Sequence, residues 1–444
     1  MLKFFLWLRY LRKKRIVLLS ITAVGVSVAL LVVVASLFTG FINAFEQSAV
    51  DCIGDVIVAP PVRFANYSDF IKRLEEQAFV EAATPTLFGQ GLLHTGAGNV
   101  RAVHLWGIEP QSRAKVTAFR RFLMKAKDSA GQLSFEILHQ PQATGGFVGI
   151  GVLAEPDEQT DEYDTEVIEN MLGRQVVLTT GTVIGQDQQQ TIKRKVIPFT
   201  IKDVVFTGVY DLDKRFIYLP IEEVQKALYP QESGPVADQI QIKLAQGFEP
   251  DAVVRQVRSI WAGFAQQQLG WGSYLIEATT ITTAKQMQSM YIAELRKQMG
   301  LLLVIFGIVS LSVVVLIFCI FYMMVITRQK DIAIVKSCGA ASGSVVWLFI
   351  GFGGFVGVIG SAFGVIAGYV VTRNINTIEQ WVRIVFGLKL WKSSVYMFSR
   401  IPSEVDWMWA VVIASLAVAA ACAGALIPAF IAARTRPVDI LRYE

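Results

Sequence analysis

Four uncharged apolar runs decide what this chain can become. Ile16–Phe45, Gln298–Thr327, Ser337–Thr372 and Trp407–Ala433 contain no Asp, Glu, Lys or Arg. Each exceeds the roughly 20 residues that cross a hydrocarbon core as a helix. The chain of 444 residues is only 17% charged, below the roughly one quarter of average soluble chains, and this deficit agrees with four transmembrane helices. The first run is longer than a signal-peptide core of about 7–15 residues and has no small-x-small site to close it. Asp51 makes Ala49-Val-Asp-Cys52 a poor lipidation site. That run therefore reads as an uncleaved anchor.

Lys3, Arg9, Arg12, Lys13, Lys14 and Arg15 precede the first run, which predicts a cytosolic N-terminus. Arg328, Lys330 and Lys336, and then Arg434, Arg436 and Arg442, fall on the same side. One loop dissents. Residues 373–406 fall outside, yet carry Arg373, Arg383, Lys389, Lys392 and Arg400 against Glu379, Glu404 and Asp406. The net charge of +5 reflects the membrane bias and gives no reason to expect nucleic acid. The four cysteines are scattered and suggest no disulfide framework.

Residues 46–280 are an extracytoplasmic insert large enough for its own core and for two subdomains. Asp55–Ala59 alternates like a strand, Ser68–Gln77 reads as a helix with Ser68 as its cap, and Val100–Ile108 reads as a strand. Ile137–Gly151 and Ala154–Asp164 read as loops. Gln175–Thr179 and Val196–Tyr210 read as strands joined by a polar tongue, Thr180–Lys195. Phe216–Leu219, Ile221–Leu228, Gln239–Leu244, Ala252–Phe264 and Tyr274–Glu277 continue as strand, helix, strand, helix, strand. The mixture predicts an α+β domain. Its basic group Arg113, Lys115, Arg120, Arg121, Lys125 and Lys127 reads as a solvated helix face.

Flanking segments complete the plan. Residues 1–15 alternate aromatic and basic side chains, as in a cytosolic interfacial helix or a plain extension of the first span. Residues 16–45 form the first span and the start of a stalk, and 281–327 form the rest of the stalk and the second span. Phe38, Phe41 and Phe45 continue one helix face, and Met287, Met290, Leu295 and Met299 another. Residues 343–372 are the third span, 373–406 a short outer loop, 407–433 the fourth span and 434–444 a cytosolic tail. Gly353, Gly357, Gly360, Gly364 and Gly368 in the third span suit close helix packing, either within one subunit or at a moving or dimer interface.

Residues 328–342 interrupt the second and third spans. Charge there is confined to Arg328, Lys330, Asp331 and Lys336, while Ile332, Val335 and Cys338/Gly339 recur at helical spacing. This predicts a small amphipathic helix at the membrane surface, ended by Gly339 in a left-handed cap, with Ser342 starting the next helix. Nothing resembles a catalytic constellation. His94, His104 and His139 lack metal-ligand spacing, and no G-x-x-x-x-G-K-[ST] loop occurs. Any nucleotide energy must come from a separate subunit.

The layout and the stretch Lys330-Asp-Ile-Ala-Ile-Val-Lys-Ser-Cys-Gly-Ala-Ala-Ser342 resemble FtsX/MacB-type ABC transporter permeases, with Asp331 in place of the usual Glu. Ile427–Glu444 resembles the family's closing pattern. Val395–Val405 and Val205–Val224 resemble the lipoprotein-releasing LolC/LolE branch. The resemblance implies a non-catalytic subunit of the bacterial inner membrane, paired with a second permease copy or paralogue and with two copies of a cytosolic ABC ATPase. That ATPase holds ATP and magnesium, and this chain binds no cofactor.

The coupling segment would be Arg328, Lys330, Asp331, Ile334, Val335, Lys336, Gly339 and Ala340. The substrate path would run past Phe38, Phe41, Phe45, Met287, Met290 and Met299. A carrier-binding tongue would present Gln186, Lys193, Arg194 and Lys195. The implied function is extraction of lipoproteins from the outer leaflet, surrounded by membrane lipids, and their transfer to a periplasmic carrier by mechanotransmission. A MacB-like export permease and an FtsX-like signalling scaffold for a cell-wall hydrolase are the alternatives.

Overall fold

The computed structural model describes residues 15–434 except 97, 129–130, 138–142, 158–162, 185–190, 233, 328, 338, 340, 388 and 393–397. The expected interfacial helix and C-terminal tail therefore lie outside the described residues, apart from Arg15 and Arg434. Helices are α1 (Arg15–Ile53), α2 (Tyr67–Glu75), α3 (Pro110–Val116), α4 (Tyr210–Arg215), α5 (Ile221–Leu228), α6 (Pro250–Gln267), α7 (Ser289–Thr327), α8 (Gln329–Ser337), α9 (Ser342–Arg373), α10 (Ile375–Phe386) and α11 (Trp407–Arg434). Strands are β1 (Val56–Ala59), β2 (Phe64–Ala65), β3 (Val80–Gly96), β4 (Asn99–Ile108), β5 (Gly145–Gly149), β6 (Gln175–Ile184), β7 (Thr191–Val205), β8 (Phe216–Pro220), β9 (Val236–Ala237), β10 (Gln239–Leu244) and β11 (Thr280–Thr283). Short helical turns elsewhere are given by residue number. The chain forms two units: the membrane helices, and a β-rich domain of Ala44–Tyr291 with Val382–Arg400.

In the membrane unit, α1, α7, α9 and α11 are each long and apolar enough to span a bilayer. The glycine stripe of α9 divides between two neighbours. A Cβ at Gly353 or Gly357 would meet Ala425 or Ala421 of α11, and one at Gly360, Gly364 or Gly368 would meet Val24, Val28 or Val32 of α1. The stripe thus packs helices within one chain. Gly424 of α11 lies against Val314 and Ile317 of α7, and Pro428 sits inside α11. Helices α1 and α7 have 39 residues each, roughly 58 Å at 1.5 Å per residue, so both continue well beyond a hydrocarbon core.

The domain is organised by β3. Its first half pairs antiparallel with β10, from Leu244↔Val80 to Gln239↔Thr86, and so joins the open sheet β11-β1-β10-β3. Its second half pairs with β4 on one side and with β6 on the other, through Leu92↔Thr179, Leu93↔Leu178 and His94↔Val177. From β4 the ladder continues through β8, β5 and β7 back to β6, so six strands close into a ring. One apolar core runs through both regions, including Leu87 and Leu93 of β3. Beside the open sheet, Phe64, Phe70, Trp261 and Phe264 pack together, with Phe64–Trp261 and Phe70–Phe264 centroids 5.0 Å apart. Each such pair adds about 0.5–1.5 kcal/mol beyond area burial. The Trp261 indole N–H is satisfied by Thr279 Oγ1 at 2.9 Å.

Several sequence expectations change. Gly145–Gly149 is a buried strand, not loop. A Cβ at Gly145 would clash with the Phe135 carbonyl, at Gly146 with the Phe199 ring and at Gly149 with the Asp213 carbonyl, so these glycines allow close approach. Tyr274–Glu277 is helical, within Ser273–Glu277, and buries no side chain; the strand follows at β11. Asn66, in the left-handed region, stands at the N-cap of α2 in place of Ser68. Strand β7 stops at Val205 because the Asp213 carboxylate accepts the N–H groups of Thr207 and Gly208, at 2.7 and 3.0 Å. Burial pushes that carboxyl up to about 7, while these hydrogen bonds pull it down.

The loop 373–406 is not a free link. Within the domain unit, Val209 bridges to Phe398, Ser399 N–H donates to the Gly208 carbonyl at 3.3 Å, and the Phe398 ring lies edge-on to Phe45 at 6.5 Å.

Candidate functional site

The polar interruption after the second span folds as α8, Gln329–Ser337, and Gly339 follows with φ +95°. Ile332 and Ala333 are buried against the membrane unit, whereas Ile334 is 52% exposed. Lys330 is exposed. Lys336 turns inward: its Nζ donates to the Ala433 carbonyl at 2.6 Å, a cation placed at the C-terminal end of α11, where the helix dipole favours it. Ser342 is the first residue of α9, with Ala341 at the N-cap. Asp331 and Val335 lie on α8, while Arg328 and Ala340 are outside the described residues. Among the described side chains of α8, those of Lys330, Ile334 and Ser337 are exposed.

At its far end α1 enters a socket in the domain. Arg113 is only 2% exposed, so the expectation of a solvated face fails for this residue. Its guanidinium donates to the Cys52 carbonyl at 3.0 Å and to Gln241 Oε1 at 3.1 Å, and lies 4.5 Å from the Trp106 ring centroid. Cys52 belongs to the last turn of α1, so the buried cation answers carbonyl charge that the helix leaves unpaired. Burial lowers the Arg113 pKa to about 10, and the group stays protonated at neutral pH. Ala118 N–H donates to the Asp51 carbonyl at 2.8 Å, Arg121 pairs with the Asp51 carboxylate at 3.2 Å, and Gly54 ends the helix with φ +82°. Nothing in the sequence pattern separates Arg113 from its basic neighbours. Its burial arises from the three-dimensional meeting of α1, α3 and β10.

The membrane helices line a half-open cavity of about 380 Å³ whose walls include Val24 and Leu31 of α1, Leu303 and Gly307 of α7, and Trp409 and Leu416 of α11. Its walls are almost wholly apolar. Ser27 and Ser310 meet across it, hydroxyl to hydroxyl at 2.6 Å, and Ser310 in turn donates to the Phe306 carbonyl at 2.8 Å. The six residues expected along a substrate path are not its walls. Phe38 and Met299 pack into the same membrane core cluster, Phe41 is half-buried on α1, Phe45 meets Phe398 in the domain, and Met287 is 54% exposed. Met290 lies near the start of α7. Of the residues expected in a stalk, Leu295 is buried, while Lys285 and Lys297 are exposed.

The expected tongue is mostly β-hairpin. Strands β6 and β7 pair without interruption from Gln175↔Thr200 to Ile184↔Thr191, because polar residues such as Thr180 and Thr182 continue the ladder. Gln186 is outside the described residues. Lys193, Arg194 and Lys195 pair with Thr182, Gly181 and Thr180, and strand alternation turns Arg194 away from the two lysines. Arg194 borders an open recess of about 790 Å³ with Arg215 and His104, and Lys195 a recess of about 340 Å³ on the other face.

Residues 303–438 match the model of the FtsX-like permease C-terminal domain. Along nearly its whole length the chain is similar to the lipoprotein-releasing system transmembrane protein LolC of Neisseria meningitidis, at 25% identity over 98% of both chains. It is similar to LolE of the same system in Haemophilus influenzae at 24% identity, over 99% of this chain and 98% of the relative. The periplasmic region of MacB from Actinobacillus actinomycetemcomitans aligns with 55% of this chain and 95% of its own length, at 13% identity and a TM-score of 0.33. The likeness is that of an FtsX-type permease near the LolC/LolE branch.

Proposed function

We propose that this FtsX-type permease is the transmembrane subunit of an inner-membrane ABC transporter that extracts lipoproteins and passes them to a carrier outside the membrane. The observation that carries the reading is the intramembrane cavity: apolar but for one serine pair, and set among apolar runs that carry no charged side chain. A soluble cargo would call for polar groups along a track. An acyl chain calls only for apolar walls, and costs about 0.8 kcal/mol per CH2 to remove from lipid. Several chains therefore require an energy source, and an ATPase partner supplies it.

The route for the force starts at α8, where Ile334 presents an apolar side chain to two cytosolic ATPase subunits. Movement of α8 draws on α7 and α9, which flank it in the chain. The glycines of α9 interlock with α1, and α1 ends on Arg113. The exposed stripe Leu301, Val304, Ile308, Leu311 and Val315 of α7 has the three-and-four spacing of a helix-pairing seam, which suits a second permease copy or paralogue. Lys193, Arg194 and Lys195 on the β6–β7 hairpin are the surface for a carrier. The large domain faces the periplasm, and both termini face the cytosol.

Substitutions at the two ends of this route test it. Ile334→Asp should lower ATPase affinity by roughly thirtyfold, the loss of a buried anchor of about 2 kcal/mol, read by co-purification in mild detergent; unchanged recovery rejects the docking role of α8. Gly307 lines the cavity, and a Cβ added there would have nothing within 4 Å, so Gly307→Phe fills space without a clash. Reconstituted with the ATPase, a triacylated lipoprotein and a carrier, this variant should cut ATP-dependent release by roughly tenfold or more, since displacing two methylenes forfeits about 1.6 kcal/mol. ATPase assembly should be intact. Wild-type protein that releases no lipoprotein but exports a soluble peptide or drug would replace this reading with an exporter.

A further inference from the structure

Helix α10, Ile375–Phe386, follows the membrane-spanning α9 with only Asn374 between them, so its start is held at the membrane surface on the side of the large domain. Its polarity is inverted. Ile378, Trp381, Ile384 and Val385 point away from the protein, with exposures of 39, 68, 79 and 59%. At 100° per residue these four occupy one continuous arc. The half-buried side carries Asn376, Glu379 and Arg383 together with Ile375 and Val382, while Thr377 and Gln380 are exposed beside the apolar arc. There Asn376 donates to the Ile401 carbonyl at 3.1 Å and accepts from the Ile401 N–H at 3.0 Å.

A helix at the edge of a water-soluble domain turns its apolar stripe inward. This one holds Asn376, Glu379 and Arg383 inward and leaves four large apolar side chains outward, an arrangement that suits an outer medium that is itself apolar. Bilayer acyl chains at the headgroup boundary are such a medium, and tryptophan is enriched at that depth. The same placement accounts for the basic loop that departs from the charge bias of the topology. Arg373 and Lys392, both exposed, flank the helix in the chain.

We propose that α10 is an interfacial helix embedded in the leaflet on the side of the large domain, with its Ile378–Val385 arc among acyl chains and its flanking cations on anionic phospholipid headgroups. The function proposed above does not require this. The surface is anchored in lipid whether the cargo is a lipoprotein or a soluble peptide.

The test uses the full chain in vesicles of phosphatidylethanolamine and phosphatidylglycerol, with benzoylphenylalanine replacing one residue at a time. Ile384 and Trp381 should yield phospholipid adducts on illumination, as should Ile366, 60% exposed on α9. Tyr274, 83% exposed on the domain, should yield none. Phosphatidylglycerol should exceed its bulk share among the Ile384 adducts, and should fall back to that share in an Arg373→Gln, Lys392→Gln background. If Ile384 and Trp381 give no lipid adduct while Ile366 does, or cross-link to polypeptide instead, the interfacial assignment is overturned. Adducts at the bulk phosphatidylglycerol share overturn the headgroup part.

Discussion

Arg113→Met should destabilise the extramembrane domain by about 3–5 kcal/mol, the range seen when one member of a buried charged network is removed. The substitution keeps much of the side-chain volume, so the loss is electrostatic. The Cys52 carbonyl and Gln241 Oε1 lose charged donors inside a dry core, and the last turn of α1 loses its cation. In a domain of this size each kcal/mol is worth roughly 2–4 °C in Tm. The domain transition of the detergent-solubilised full chain should therefore fall by roughly 8–15 °C. Lys115→Met, one helical step away and exposed, should shift it by less than about 2 °C. Equal shifts for the two variants would remove the special role of Arg113.

Gly364→Leu should separate α1 from α9. Even a Cβ at this position would come within 2.6 Å of both the Gly25 carbonyl oxygen and Val28 Cβ, closer than packed atoms allow. Backbone lies on one side of the clash and a stiff β-branched side chain on the other, so little can yield. Overpacking of a tight core costs about 1–3 kcal/mol for extra methylenes, and a leucine here adds four carbons at a backbone contact. The expected result is loss of the monodisperse peak on size exclusion at temperatures the wild type withstands. Gly343→Leu, in the same helix with nothing within 4 Å, should behave like wild type. If both variants elute alike, helix packing does not depend on the stripe.

The membrane helices were readable because lipid imposes a single condition, absence of charge over some twenty residues, and nothing local competes with it. Elements such as α5 and β10 were readable for a related reason: α5 buries one face at helical spacing and β10 alternates apolar with polar residues, so each carries its period in its own residues. Strand β3 was not. It belongs to two sheet regions, carries Pro85 and the close-packed Gly89 and Gly91, and so has neither alternation nor typical strand composition. Tyr274-Leu-Ile has strand-like composition but no core to bury it, and it winds into helix. The cavity was hidden because its walls come from three distant runs that share one composition. Helix α8 was visible as an isolated polar patch, but the inward turn of Lys336 depends on where α11 ends, which no spacing encodes.

Pro428 gives α11 a built-in compliance. It has no amide hydrogen for the Gly424 carbonyl, and its ring crowds the turn before it, so the six residues from Ala429 to Arg434 hang on a thinned ladder. Lys336 grips that segment at Ala433. A tug on α8 therefore bends a soft tip first, and the remainder of α11, wedged by Gly424 against α7 and by Ala421 against α9, can stay where it is. Lever and anchor occupy one helix, divided by a single imino acid.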